Sequence, residues 1–295
     1  MTASDRNPEP SNPLGVDGIE FVEYATTQPQ ALGAVLQLMG FAPVARHRSR
    51  EVMLYRQGSM NLIVNAHPEV LAGLDAGDGR PVIAAIALRV RDAAFAWRPS
   101  VGLGAWPRPA AASAMELNIP AIHGVGGSLI YFVDRYRDFT IYDVDFVPLP
   151  GVDPAPPALA GMHYFGVVQA IHADRTEAWL DFYEHLFGFT VLPVGTHFGI
   201  LPKGTLLQSP CRKFYLQLVE PPPGADDIVW EEGYLRSAMG AADVVEATRQ
   251  LKARGVVFVD REPVQSSDKG ALTQVHLGSV SFELVHSHIA AAGPA

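Results

Sequence analysis

Gly278-Ser279-Val280-Ser281-Phe282-Glu283 reads as a tight turn running into a strand, and Gly127-Ser128-Leu129-Ile130-Tyr131-Phe132 is its echo earlier in the chain. The segments upstream of the two hairpins match as well. Residues 237–240 then 243–254 read as strand then helix, as do 84–90 then 92–97. The same order opens each half. Gly18-Ile19-Glu20-Phe21-Val22-Glu23-Tyr24-Ala25 alternates like a half-buried strand, and Ala31, Leu32, Val35, Leu36 and Met39 follow a helical period stopped by Gly40. Strand-like runs at 51–56 and 61–65 come next, separated by Gly58. Residues 161–169 and 177–186 repeat the strand and helix, with Gly188-Phe189 echoing Gly40-Phe41. Four strand-helix-strands units, about 65–80 residues apart, make an internal repeat. Such α+β units curl their sheets and pair into cups, because one sheet alone leaves a face uncovered.

Pro148-Leu149-Pro150-Gly151 and Asp153-Pro154-Ala155-Pro156-Pro157 divide the repeat in the middle. Proline at this density reads as a stiff linker that blocks helix and sheet pairing. The expected organisation is a tail at 1–14, an N-terminal domain at 15–147, a linker at 148–160, a C-terminal domain at 161–287 and a tail at 288–295. The chain has 295 residues with 48% apolar content, enough for a sizeable core. A net charge of −9 with scattered basic residues argues against nucleic acid. The single cysteine, Cys211, excludes an internal disulfide and fits a cytoplasmic setting. Neither a signal peptide nor a membrane-spanning run is expected.

Several motifs resemble bacterial 4-hydroxyphenylpyruvate dioxygenases. In the first half these are Arg46-His47-Arg48-Ser49, Leu54-Tyr55-Arg56-Gln57-Gly58, Met115-Glu116-Leu117-Asn118-Ile119-Pro120-Ala121-Ile122 and Ile141-Tyr142-Asp143-Val144-Asp145-Phe146. In the second they are Asp181-Phe182-Tyr183-Glu184, Ser209-Pro210-Cys211, Leu272-Thr273-Gln274-Val275 and Phe282-Glu283-Leu284-Val285. The resemblance spans about residues 15–287. It implies the vicinal oxygen chelate fold: four βαβββ modules in two domains with curled mixed sheets, the C-terminal cup holding Fe(II) through two histidines and a glutamate. It also implies a homodimer paired through the N-terminal domain. By resemblance the first histidine falls on His163 and the glutamate on Glu283, whereas Arg236 stands in place of the second histidine. The matching substrate-facing positions are Ser209, Gln217, Val219 and Gln274, and the family's proline and asparagine are replaced by Gln217 and Val219. The family's closing helix also has no counterpart in this sequence.

Two histidines and a carboxylate suit Fe(II) because they leave positions for a 2-oxo acid and dioxygen. Arginine only donates hydrogen bonds and repels a cation, so Arg236 is expected to pair with Glu283. The last hairpin offers another donor. A two-residue turn at Gly278-Ser279 would set Gln274 opposite Glu283 and His276 opposite Ser281, on one face. Fe(II) or another divalent metal would then sit among His163, His276 and Glu283. Without that metal, His276 is a rim residue. In the first half the repeat aligns Glu20, Ala85 and Phe132 with His163, Arg236 and Glu283, a set that holds no metal. Glu116 and Asn118 are expected as buried hydrogen-bonded groups.

Three functions follow. One is a metal-dependent oxygenase acting on a 2-oxo acid or small aromatic acid, with Gln274 orienting the ring end. Another is a lyase or isomerase in which Arg236 binds a substrate carboxylate. The third is a non-catalytic small-acid-binding protein on the same scaffold.

Overall fold

The computed structural model describes residues 11–72, 79–109, 117–201, 204–222, 224, 229–261 and 264–288. Glu116 and the tail positions 1–10 and 289–295 lie outside them. The first module comprises β1 (Val16–Ala25), α1 (Pro29–Leu38), β2 (Ala42–His47), β3 (Val52–Gln57) and β4 (Met60–Asn65). After a short α2 (Pro68–Ala72), the second has β5 (Val82–Val90), α3 (Ala93–Gly102), β6 (Ala121–His123) and β7 (Leu129–Val133). A short α4 (Ile141–Asp145) and β8 (Phe146–Pro148) end the first half. The third module is β9 (His163–Ala170), α5 (Thr176–Phe187), β10 (Thr190–Val191), β11 (Thr205–Gln208) and β12 (Tyr215–Val219). The fourth is β13 (Gly233–Ala241), α6 (Val244–Ala253), β14 (Gly270–Leu272) and β15 (Phe282–His286).

Pairing bears out the repeat. In every module the first strand runs parallel to the last: β1 with β4, β5 with β7, β9 with β12 and β13 with β15. The first strands then pair antiparallel within each half, β1 with β5 and β9 with β13. The sheets are mixed and open, as the vicinal oxygen chelate fold requires. The second and fourth modules are thinner than expected. Their additional strand is reduced to isolated bridges, Pro107 to Ile122 and Phe258 to Thr273.

The two curled sheets meet at the pair Tyr234–Ile83, forming one continuous path. Their helix-covered sides share a core, in which Phe132 of the first half stacks on Phe187 of the second at 6.3 Å. Shared packing explains why β1 is buried along nearly its whole length rather than alternately. Val22 and Tyr24 face that common core, while Phe21 packs in a smaller cluster on the inner side of the first cup. The proline-rich segment also departs from expectation. Pro148 pairs with Ala45 at the sheet edge, where a missing N–H is tolerated. Beyond it, the Gly58 amide donates to the Pro156 carbonyl at 2.8 Å and Arg56 to that of Pro154 at 2.7 Å. The linker is therefore strapped to the β3–β4 turn.

Candidate functional site

The inner face of the C-terminal sheet gathers His163, Arg236 and Glu283 from its three central strands. Ala238 on β13 stands beside Glu283 on β15, and Gly240 beside both Val285 and His163. Alternation places Arg236, Ala238 and Gly240 on one face, with Glu283 and Val285 next to them. Gly240 is required by close approach, since a Cβ there would lie 2.3 Å from His163 Nε2. The imidazole thus rests on bare backbone. Its Nε2 is 3.1 Å from the Ser287 hydroxyl and its Nδ1 3.4 Å from the Gly161 carbonyl. Burial pushes His163 below its ordinary value and favours the neutral ring, while the Gly161 carbonyl works the other way by favouring the protonated one.

Arg236 contacts Glu283 as expected, with Nε 3.5 Å from Oε2. Glu283 has no exposed surface, so the guanidinium occupies the direction from which a cation would neutralise it. A loop seals the other side. Phe198 packs edge-on to Phe165 at 5.1 Å and tilted on Tyr215 at 4.7 Å. Gly199, at φ 67°, passes so close that a Cβ would meet Glu283 Oε1 at 2.7 Å. The space left among Phe165, Phe198, Gln217 and Glu283 is about 10 Å³, the threshold for a single water.

The last hairpin differs from the expected one. His276 and Val280 exchange both backbone hydrogen bonds around a three-residue loop, Leu277-Gly278-Ser279, in which Leu277 and Gly278 have φ of 51° and 79°. Val280 belongs to the shared core, so His276 lies on that face, opposite to Glu283. Its Nε2 is buried with no hydrogen-bond partner among the described residues. Leu272, rather than Gln274, stands across from Glu283. Gln274 is exposed, and its backbone N–H donates to the Val257 carbonyl. The third loop residue turns His276 to the core face, and a further one-residue shift between Thr273 and His276 sets Leu272 rather than Thr273 across from Glu283.

The remaining positions divide. Gln217 is 4% exposed and lines the small space. Val219 pairs with Ala170 at the far end of the same strand. Ser209 shapes the β11–β12 turn, its hydroxyl accepting from the Phe214 amide at 3.2 Å and lying 3.4 Å from Cys211 Sγ. Burial raises the Cys211 thiol, which argues against a nucleophile. Among the described residues no three His, Cys, Asp or Glu side chains converge as metal donors. A divalent ion does not fit this face, because its expected third donor points away and an arginine holds the carboxylate.

Sequence reasoning missed a second inner face. In the first half, Ala85 and Ala87 take the places of Arg236 and Ala238, and β7 sets Tyr131 beside Ala87. Tyr131, not Phe132, is therefore the counterpart of Glu283. Phe132 lies in the shared core. Glu20, matched to His163, is held by Arg89 at 2.5 Å. Tyr131 borders a cavity of about 520 Å³ together with Glu23, Arg50 and Arg108. The alternation of β1 already separated Glu23 from the core positions Val22 and Tyr24, which was the available signal.

Residues 11–147 match the family model described as hydroxyphenylpyruvate dioxygenase, HPPD, N-terminal. Residues 163–271 match that of the glyoxalase/bleomycin resistance protein/dioxygenase superfamily. The 4-hydroxyphenylpyruvate dioxygenase of Pseudomonas sp. (strain P.J. 874) is 36% identical over 93% of this chain and 72% of its own length. A 3-dehydroshikimate dehydratase of Pseudomonas aeruginosa is 34% identical over 83% of this chain but only 40% of its own. The solved structure of a xylose isomerase-like TIM barrel/4-hydroxyphenylpyruvate dioxygenase fusion protein superposes with a TM-score of 0.74 at 24% identity. It shares 94% of this chain, which spans half of that fusion. With 36% identity over nearly the whole chain and a matching family model for its first half, the chain belongs to the 4-hydroxyphenylpyruvate dioxygenase family.

Proposed function

We propose that this protein is a small-organic-acid-binding member of its family whose C-terminal cup no longer carries metal-dependent oxygenase chemistry. The observation that carries the proposal is Arg236 beside the fully buried Glu283, in the position of a metal-donating histidine. The register that turns His276 to the opposite face supports it, as does the closed space under Phe198. A lyase or isomerase using Arg236 for a substrate carboxylate would require the Phe198 loop to lift. The proposal includes two cups bounded by residues 15–147 and 161–287, a cytoplasmic setting supported by the lone Cys211, and a homodimer supported by the family resemblance. No helix among the described residues is long and apolar enough to cross a membrane.

The competing reading is a dioxygenase with Fe(II) on His163, His276 and Glu283, Gln274 orienting the substrate. It is favoured by the 36% identity to a named dioxygenase. Metal analysis and oxygen uptake separate the two. Protein purified without chelator should hold no stoichiometric Fe, Mn, Co, Ni or Zn, and should consume no oxygen with 4-hydroxyphenylpyruvate. Arg236→His should gain cobalt binding, because it removes a cation and supplies an imidazole. Stoichiometric iron with oxygen uptake in the native protein would sink the proposal.

A further inference from the structure

Among the described residues, the roomier cup is the N-terminal one. Its cavity of about 520 Å³ falls within the range of small-molecule sites, against about 10 Å³ in the C-terminal cup. Aromatic walls come from Phe21, Trp97, Tyr131 and Phe146. Phe21 and Tyr131 tilt against each other with ring centroids 5.8 Å apart. Such walls take a flat apolar body.

Polar groups line this cavity as well. Glu23 is 7% exposed, and its Oε1 accepts from Asn65 Nδ2 at 2.8 Å. Arg108 donates to the Tyr131 hydroxyl, and its guanidinium carbon stands 5.7 Å from that ring's centroid. Burial drives the Glu23 carboxyl above its ordinary value, while Asn65, Arg108 and Arg50 draw it back. The other titratable groups around the cavity are Asp145 and His47. Asp145 accepts from the Leu117 amide at 3.1 Å, and the His47 ring packs edge-on to Phe146. Guanidinium groups recognise carboxylates through paired donors, and the Glu23–Asn65 pair can accept from or donate to a hydroxyl.

We propose that the N-terminal cup binds a small aromatic hydroxy acid, its carboxylate on Arg108 and Arg50, its ring between Tyr131 and Trp97, and its hydroxyl on Glu23 and Asn65. The proposal rests on the small-acid reading above and places the acid in the other cup. Nothing in it depends on whether the C-terminal face holds a metal.

Calorimetric titration of the full chain with 4-hydroxybenzoate tests it, with benzoate and 4-hydroxybenzyl alcohol as comparators. Saturable binding should appear below about 1 mM and weaken at least about tenfold for either comparator. Arg108→Met should weaken 4-hydroxybenzoate by at least about tenfold, and Val52→Phe, which fills the cavity without removing a charge, should do likewise. Arg236→Ala should leave affinity within about twofold. Unchanged melting curves certify each variant. The proposal is overturned if no probe binds up to about 10 mM, if both cup-one variants keep native affinity, or if Arg236→Ala alone abolishes binding. That last outcome would move the acid to the C-terminal cup and leave the small-acid reading standing, whereas iron with oxygen uptake would remove that reading without touching this site.

Discussion

At the scale of the residue, Glu283 and Glu23 show the two ways a cup can hold a buried carboxylate. Glu283 has a guanidinium beside it, and its neighbourhood is otherwise filled by Phe198 and Gly199. Glu23 has an amide partner, two more distant cations and open space. Because burial raises Glu23 above its ordinary value of 4.5, folding favours its protonated form. Its contribution to stability is full below that ordinary value and is lost as pH rises through the higher folded value. Glu23→Gln stays neutral throughout, so its stability relative to the native protein should improve from pH 4 to pH 8. Urea unfolding at several pH values checks this, and a flat difference would show that the carboxylate is fully compensated. The type of residue at each of these positions was legible in the sequence. Their environments were not, because Phe198, Gly199 and Asn65 reach them from distant segments.

At the scale of the element, register decided more than composition. The cap residues Asp92 and Asp243 recur in phase, and each carboxylate accepts an amide three residues on, from Phe95 and Glu246 respectively. Asp92→Ala and Asp243→Ala should each cost about 1 kcal/mol, and the double variant should show nearly the sum. Denaturant midpoints test that expectation, and clear non-additivity would tie the two helices together. Both helix starts, at 92 and 243, were legible because their signal is local. The final hairpin was not. Gly278-Ser279 suits a two-residue turn, yet Leu277 adopts φ 51°, a left-handed conformation that few side chains advertise. One added loop residue moved His276 to the other face, and a second one-residue shift between Thr273 and His276 put Leu272 opposite Glu283. Metal binding by that hairpin therefore turns on a single backbone torsion that no periodicity encodes.

At the scale of the whole molecule, the two halves are built onto one core. Their sheets join at Tyr234–Ile83, Arg254 donates to the carbonyls of Gln37 and Leu38, and Lys213 meets Asp17 at 2.6 Å. With a common core beneath both sheets, calorimetry should record one unfolding transition, its van't Hoff and calorimetric enthalpies equal. Two resolved transitions would show that the shared core couples the halves weakly. Fourfold repetition could be read from matched Gly-Phe and Gly-Ser pairs, but the repeat alignment slipped by one position at Phe132 and so concealed Tyr131. Which cup is open was beyond reach, since a cavity is the absence of side chains contributed by many segments.

Phe198 gives the C-terminal cup a tethered competitor. An incoming molecule must displace a ring already attached to the same chain and packed edge-on to Phe165 and tilted on Tyr215. Its apparent affinity is the intrinsic one multiplied by the fraction of time that ring is away. Chemical selectivity at this face would therefore be set partly by how well a ligand outbids a phenyl group held at high local concentration. The face would favour flat aromatic molecules even where no polar group asks for them.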